Sequence, residues 1–156
     1  MPRRLRPWPL PWWARGLLVF LALIALTTFA IAFHLDPYRG GHVWQAETHT
    51  QLGLPTCSFK RITGLPCASC GMSTSFALAV RGDFLHSLQA NWVGTLFALF
   101  GMAYVPWALI SAVRGRWLWF HSIERIVLGV VIGFVSLLFF RWGLVLLMIW
   151  LGGGPA

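Results

Sequence analysis

Met72-Ser-Thr-Ser-Phe-Ala-Leu-Ala-Val80 decides how many times this chain crosses a membrane. The stretch is apolar enough to pass for part of a span, yet nine helical residues reach only ~14 Å, about half of a ~30 Å hydrocarbon core. It is therefore expected as a short helix outside the bilayer, leaving three spans rather than four. Arg81-Gly82-Asp83 ends it: Gly82 suits a C-cap and Asp83 the N-cap of a second short helix. In that helix Phe84, Leu85 and Leu88 share one face against His86 and Gln89. Both helices are expected to lie along the membrane surface.

Working outward, the apolar runs over about 16–35, 90–113 and 126–151 are each long enough to cross. Pro106 is expected to bend the second, and Arg141 interrupts the third. Between the first two lies a cysteine-containing segment, 36–89, broken by Pro37, Gly40, Gly41, Gly53, Pro55, Gly64 and Pro66. The fold class is all-α and integral to a membrane, with residues 1–156 forming a single membrane domain. Composition agrees: 58% of the 156 residues are hydrophobic and only 10% charged, far from the roughly one-quarter charged usage of soluble domains. The chain has ten tryptophans, and Trp8, Trp12, Trp13, Trp92, Trp117 and Trp119 fall near span ends, where an indole meets both water and lipid.

The formal charge of +8 does not point to nucleic acid, because most of the basic residues flank apolar runs, where they set topology and meet anionic lipid. Residues 1–15 hold four arginines and four prolines and are expected as an irregular interfacial lead-in. A signal peptide is the competing reading, but the run is long and Phe33-His34-Leu35-Asp36 has no small-residue cleavage pattern. Four Lys/Arg precede the first span and three lie between the second and third, whereas Arg39, Lys60, Arg61 and Arg81 are spread over the long 36–89 segment. The expected arrangement is multi-pass in a bacterial cytoplasmic (inner) membrane, with the N-terminus cytoplasmic and the cysteine segment exoplasmic. Gly152 to Ala156 has little to pack and is expected to fray.

All three cysteines fall in the middle segment. Cys67-Ala-Ser-Cys70 is a C-x-x-C, and Cys57 stands ten residues upstream of it across the turn-forming Thr63-Gly64-Leu65-Pro66. Gly71 occupies the position where a c-type haem site needs histidine. A tetrahedral zinc site needs a fourth ligand beyond Cys57, Cys67 and Cys70, and His49 is the first choice, ahead of His42 and His86. Thiol–disulfide exchange is open as well, since Cys70 is expected at a helix start, where unpaired N–H groups stabilise a thiolate. The plainest reading is structural: an exported loop stapled by one disulfide, with the third thiol packed beside it. His34 and His121 are read as interfacial and solvated.

Gly64-Leu65-Pro66-Cys67-x-x-Cys70-Gly71-Met72, followed by Thr74, Arg81-Gly82-Asp83 and Asn91, resembles the signature of a bacterial membrane-protein family, the domain of unknown function 2752. The resemblance covers about the central quarter of the chain. Ala68 stands where many members have proline, and Ser73-Thr74-Ser75 replaces a Thr-Arg pair common after the glycine. It implies a multi-pass inner-membrane protein and no particular reaction.

Two function classes follow. One is a non-enzymatic membrane module or accessory subunit with a disulfide-stapled or thiol-clustered exoplasmic segment. Its partners would be the lipid bilayer and, through Gly94, Gly101, Gly129, Gly133 and Gly143, another membrane protein or a second copy. The other is a membrane thiol–disulfide oxidoreductase or a zinc-dependent protein using the C-x-x-C. Arg141 is expected to find a partner rather than face hydrocarbon, with Asp83 the first acid in line and helix-end carbonyls or lipid phosphate the alternatives.

Overall fold

In the computed structural model, which describes residues 10–40, 42–116 and 123–152, five helices carry the fold: α1 (Trp12–His34), α2 (Ser58–Thr63), α3 (Met72–Ala79), α4 (Phe84–Arg114) and α5 (Ile123–Gly152). A two-stranded antiparallel hairpin, β1 (Tyr38–Arg39) and β2 (His42–Val43), pairs Tyr38 with Val43, and a 3-10 turn spans Thr48–Leu52. Residues 1–9, Trp117, Trp119 and His121, and the terminal 153–156, each the subject of an expectation above, lie outside the described residues. Helices α1, α4 and α5 are long and apolar enough to cross a membrane.

The first of these helices starts earlier than the prolines imply. Pro11 stands at its N-cap in extended geometry, so a proline closes the irregular lead-in and Trp12 to Arg15 are helical. Ala14, Leu18 and Ala22 recur at helical spacing and bury one face of α1 against Ala108 of α4, with Tyr104 and Trp107 packed beside them. At the other end α1 stops at Leu35, and Arg81 closes it. The Arg81 guanidinium donates to the carbonyls of Ala32 (3.2 Å), Phe33 (2.6 Å) and Ala77 (2.8 Å), and it lies over the Phe33 ring. Two of these are last-turn carbonyls that α1 cannot satisfy by itself.

Helix α3, Met72–Ala79, is the short helix expected over 72–80. It is wedged between α1 and α4, burying Thr74, Ser75, Ala77, Leu78 and Ala79. Phe76 stacks on Phe29 of α1 and meets Phe97 of α4 edge-on, and Phe97 in turn meets Phe134 of α5 at 4.7 Å. One aromatic file thus joins the three long helices through the short one. Close approach is possible because Gly94 faces Ser75 and Gly101 faces Phe29, positions where a Cβ would collide.

The short helix expected over 84–89 forms the first segment of α4, capped by Asp83 and joined to the second span. The joint is a break at Asn91, which is extended (φ −162°, ψ 100°), while Pro106 is carried inside the helix. The break is held from within. Asn91 Oδ1 accepts from Gly94 N–H (3.1 Å) and its Nδ2 donates to the Cys70 carbonyl (3.1 Å). Thr95 donates to the Asn91 carbonyl and shares a short contact with Ser87, which itself donates to the Ser75 carbonyl. Ser75, Ser87, Asn91 and Thr95 are all buried, which accounts for polar residues in otherwise apolar sequence.

Helix α5 runs unbroken through Arg141 to Gly152, and none of its described side chains is fully buried. Among the described residues, nothing comes within 4 Å of where a Cβ would stand at Gly129, Gly133 or Gly143.

Candidate thiol site

The three cysteines reach one point by three local devices. Cys57 precedes α2, a six-residue helix that ends at Gly64 in left-handed geometry (φ 73°), so the chain reverses immediately and returns through Pro66. Cys67 and Cys70 then sit on the tight turn ahead of α3, with the Cys67 N–H directed at Cys70 Sγ (3.2 Å). Gly71 lets that turn press onto the break in α4. It has φ 82°, and a Cβ there would lie 2.5 Å from the Ala90 carbonyl oxygen and 2.9 Å from that of Gln45, so no other residue fits.

The sulfurs of Cys57, Cys67 and Cys70 all lie within 4.8 Å of one another, half-buried, and Cys67 and Cys70 are 3.2 Å apart. No disulfide joins them, so the expected staple is replaced by a cluster of free thiols. A cavity of about 450 Å3 opens beside them, lined also by Glu47, His49 and Met72.

The two thiols of the C-x-x-C differ. Burial works to raise the Cys67 thiol, but hydrogen bonds from Ser69, Cys70 and Cys57 outweigh it and bring it down to about 7. Burial, and then the proton it shares with Cys67, push Cys70 up to about 12. The sequence placed the thiolate on Cys70 for its nearness to a helix start. The polar contacts place it on Cys67 instead, the pair holding one proton between them.

His49, on the 3-10 turn, borders the cavity without joining the sulfur cluster. Its Nε2 faces the Pro55 carbonyl (3.3 Å) and its Nδ1 faces the Ser73 hydroxyl (3.5 Å). The carbonyl can only accept, which makes Nε2 the protonated nitrogen and leaves the lone pair on Nδ1. Glu47 forms an ion pair with Lys60 (3.3 Å). His42 lies exposed on the hairpin, and neither it nor His86 lines the cavity.

Of the remaining motif residues, Gly64, Pro66, Gly71 and Asn91 build the site, while Gly82 and Asp83 lie away from it. Asp83 caps α4 by accepting from the His86 N–H, contacts the His86 ring (2.8 Å) and accepts from the Tyr38 hydroxyl (2.8 Å). It does not meet Arg141. Arg141 donates instead to the Ala90 carbonyl (3.0 Å), freed by the Asn91 break, as the helix-carbonyl alternative had it. Beside it Trp142 Nε1 donates to the Pro66 carbonyl (2.9 Å), and its ring meets Phe59 of α2. The participation of α5 was missed because backbone carbonyls have no signature in sequence.

Residues 57–105 match the family model described as Protein of unknown function (DUF2752). The matched segment starts at the first cysteine and ends within α4, so it takes in all three thiols, α2, α3 and the Asn91 break, in line with the resemblance read from the motif. No curated protein and no solved structure matches the chain.

Proposed function

We propose that this protein is a membrane-anchored, non-enzymatic module whose thiol cluster binds a thiophilic metal ion, zinc being the fitting choice. The observation that carries the reading is the convergence of three unbonded sulfurs within 4.8 Å. Zinc–sulfur bonds of ~2.3 Å would put tetrahedral ligand sulfurs about 3.8 Å apart, so small movements seat the ion. His49 Nδ1 becomes the fourth ligand once it releases Ser73. In the proposed orientation the N-terminus is cytoplasmic and the cluster exoplasmic, which the arginine distribution supports. The open glycine face of α5 supports an accessory role against another membrane helix or a second copy.

The experiment is metal analysis of protein purified in detergent without chelator. One zinc per chain is expected, lost in Cys57→Ser, Cys67→Ser and Cys70→Ser, and bound more weakly in His49→Ala. Metal-free protein with three alkylatable thiols sinks the reading.

The 3.2 Å separation of Cys67 and Cys70 favours a second reading, thiol–disulfide exchange. The Cys67 thiolate would attack a partner disulfide, releasing one partner thiolate. Cys70 would then lose its proton and displace the second, leaving a Cys67–Cys70 disulfide and a reduced partner. Isolation of the chain with that disulfide, reversible by a small thiol and free of metal, would favour this reading over zinc binding.

A further inference from the structure

The thiol cluster sits where α5 touches the rest of the protein. Both polar contacts described above for α5 end on the site: Trp142 on the carbonyl of the residue before Cys67, and Arg141 on the Ala90 carbonyl against which Gly71 packs. The Arg141 guanidinium is half-buried, forms no ion pair with a carboxylate among the described residues, and has Cys70 and Cys67 as its electrostatic neighbours. A partly buried cation in a span pairs with a charge or with backbone carbonyls, and the Ala90 carbonyl leaves its charge uncancelled.

Resting on the metal-binding reading, we propose that Arg141 is the counter-ion of a divalent tris-thiolate centre formed by Cys57, Cys67 and Cys70. Binding replaces the protons that the three cysteines still hold with one M2+. Three thiolates and a divalent cation sum to a charge of −1, and a neutral His49 leaves that sum unchanged. Arg141 brings it to zero. A monovalent thiophilic ion on the same three thiolates would leave an excess negative charge beside the guanidinium. The charge balance therefore selects the divalent class, and it couples loading of the site to seating of α5. Arg141 is a positioning residue here, acting on the metal through the sulfurs and touching no ligand position.

The test compares Zn2+ affinity, by chelator competition, in the full chain and in Arg141→Gln, Arg141→Lys and Trp142→Phe. Glutamine can still donate to the Ala90 carbonyl but is neutral, whereas lysine keeps the charge. Arg141→Gln is expected to bind Zn2+ about tenfold more weakly, about 1.4 kcal/mol, with Arg141→Lys and Trp142→Phe within about threefold of the parent. Co2+ spectra should keep their shape in Arg141→Gln, because the ligands are unchanged. Equal affinities for glutamine and lysine, whether both retained or both lost, overturn the proposal and leave Arg141 as a carbonyl cap only. A second measurement needs no variant: in the full chain, Zn2+ should slow modification of Arg141 by a dicarbonyl reagent, mapped by peptide mass, and an unchanged rate overturns the pairing. Failure of the parent chain to bind Zn2+ overturns the metal reading as well, so the two failures are told apart.

Discussion

Asp83 shows how much one carboxylate does when a chain has only four acids. The Tyr38 hydroxyl, and with it His86, hold its pKa below the ordinary carboxylate value despite some desolvation. A lowered folded-state pKa means that the stabilisation is in place above the unfolded value, about 3.9, and disappears as pH falls through the lower folded value. Thermal unfolding in detergent between about pH 5 and pH 3 should show this acid loss in the parent chain and a shallower one in Asp83→Asn, which is less stable at neutral pH. Identical acid limbs would remove Asp83 from the hairpin–α4 joint. The residue's capping role was readable from Arg81-Gly82-Asp83, but its hold on Tyr38, 45 positions away, was not. Nothing local in the sequence joins the hairpin to the start of α4.

At the scale of elements, Arg81 fastens α3 to the end of α1 through three carbonyls. Arg81→Met leaves those acceptors without their charged donor and should cost roughly 2–3 kcal/mol. A fall in the thermal midpoint, partly restored in Arg81→Lys, is the expected result; an unchanged midpoint would show that water replaces the guanidinium at no cost. The three spans were readable from hydropathy, because run length against bilayer thickness is a sharp criterion. That criterion also made α3 readable as a helix too short to cross, but not its burial between α1 and α4, where Gly94 of α4 receives Ser75. The Asn91 break was hidden too. Seen as a sequence, Ala90-Asn91-Trp92 only begins an apolar run; its extended geometry is held by the Ser87 and Thr95 hydroxyls, Ser87 being anchored on the Ser75 carbonyl. Charge complementarity favoured Asp83 as the partner of Arg141, and the carbonyl freed by the break won because it lies alongside α5.

For the whole molecule, the cysteine cluster, the hairpin and the Asn91 break occupy one end, and Leu10, Gly115 and Arg15 the other, where the Leu10 N–H meets the Gly115 carbonyl. The proposed orientation predicts that a membrane-impermeant thiol reagent labels the chelator-treated, reduced cysteines in intact cells. Labelling only after the cells are opened would reverse the topology. The wedge position of α3 also sets the order in which the chain can be completed during synthesis. Helix α3 leaves the ribosome before α4 and can meet only α1, so its face toward α4 has no cover until α4 has been made at least to Gly94, where Ser75 is received. The three cysteines are thus translated well before the scaffold that gathers them exists, and Arg141 arrives later still. During that interval they are separate thiols, and under the metal-binding proposal the ion enters as a closing step of assembly.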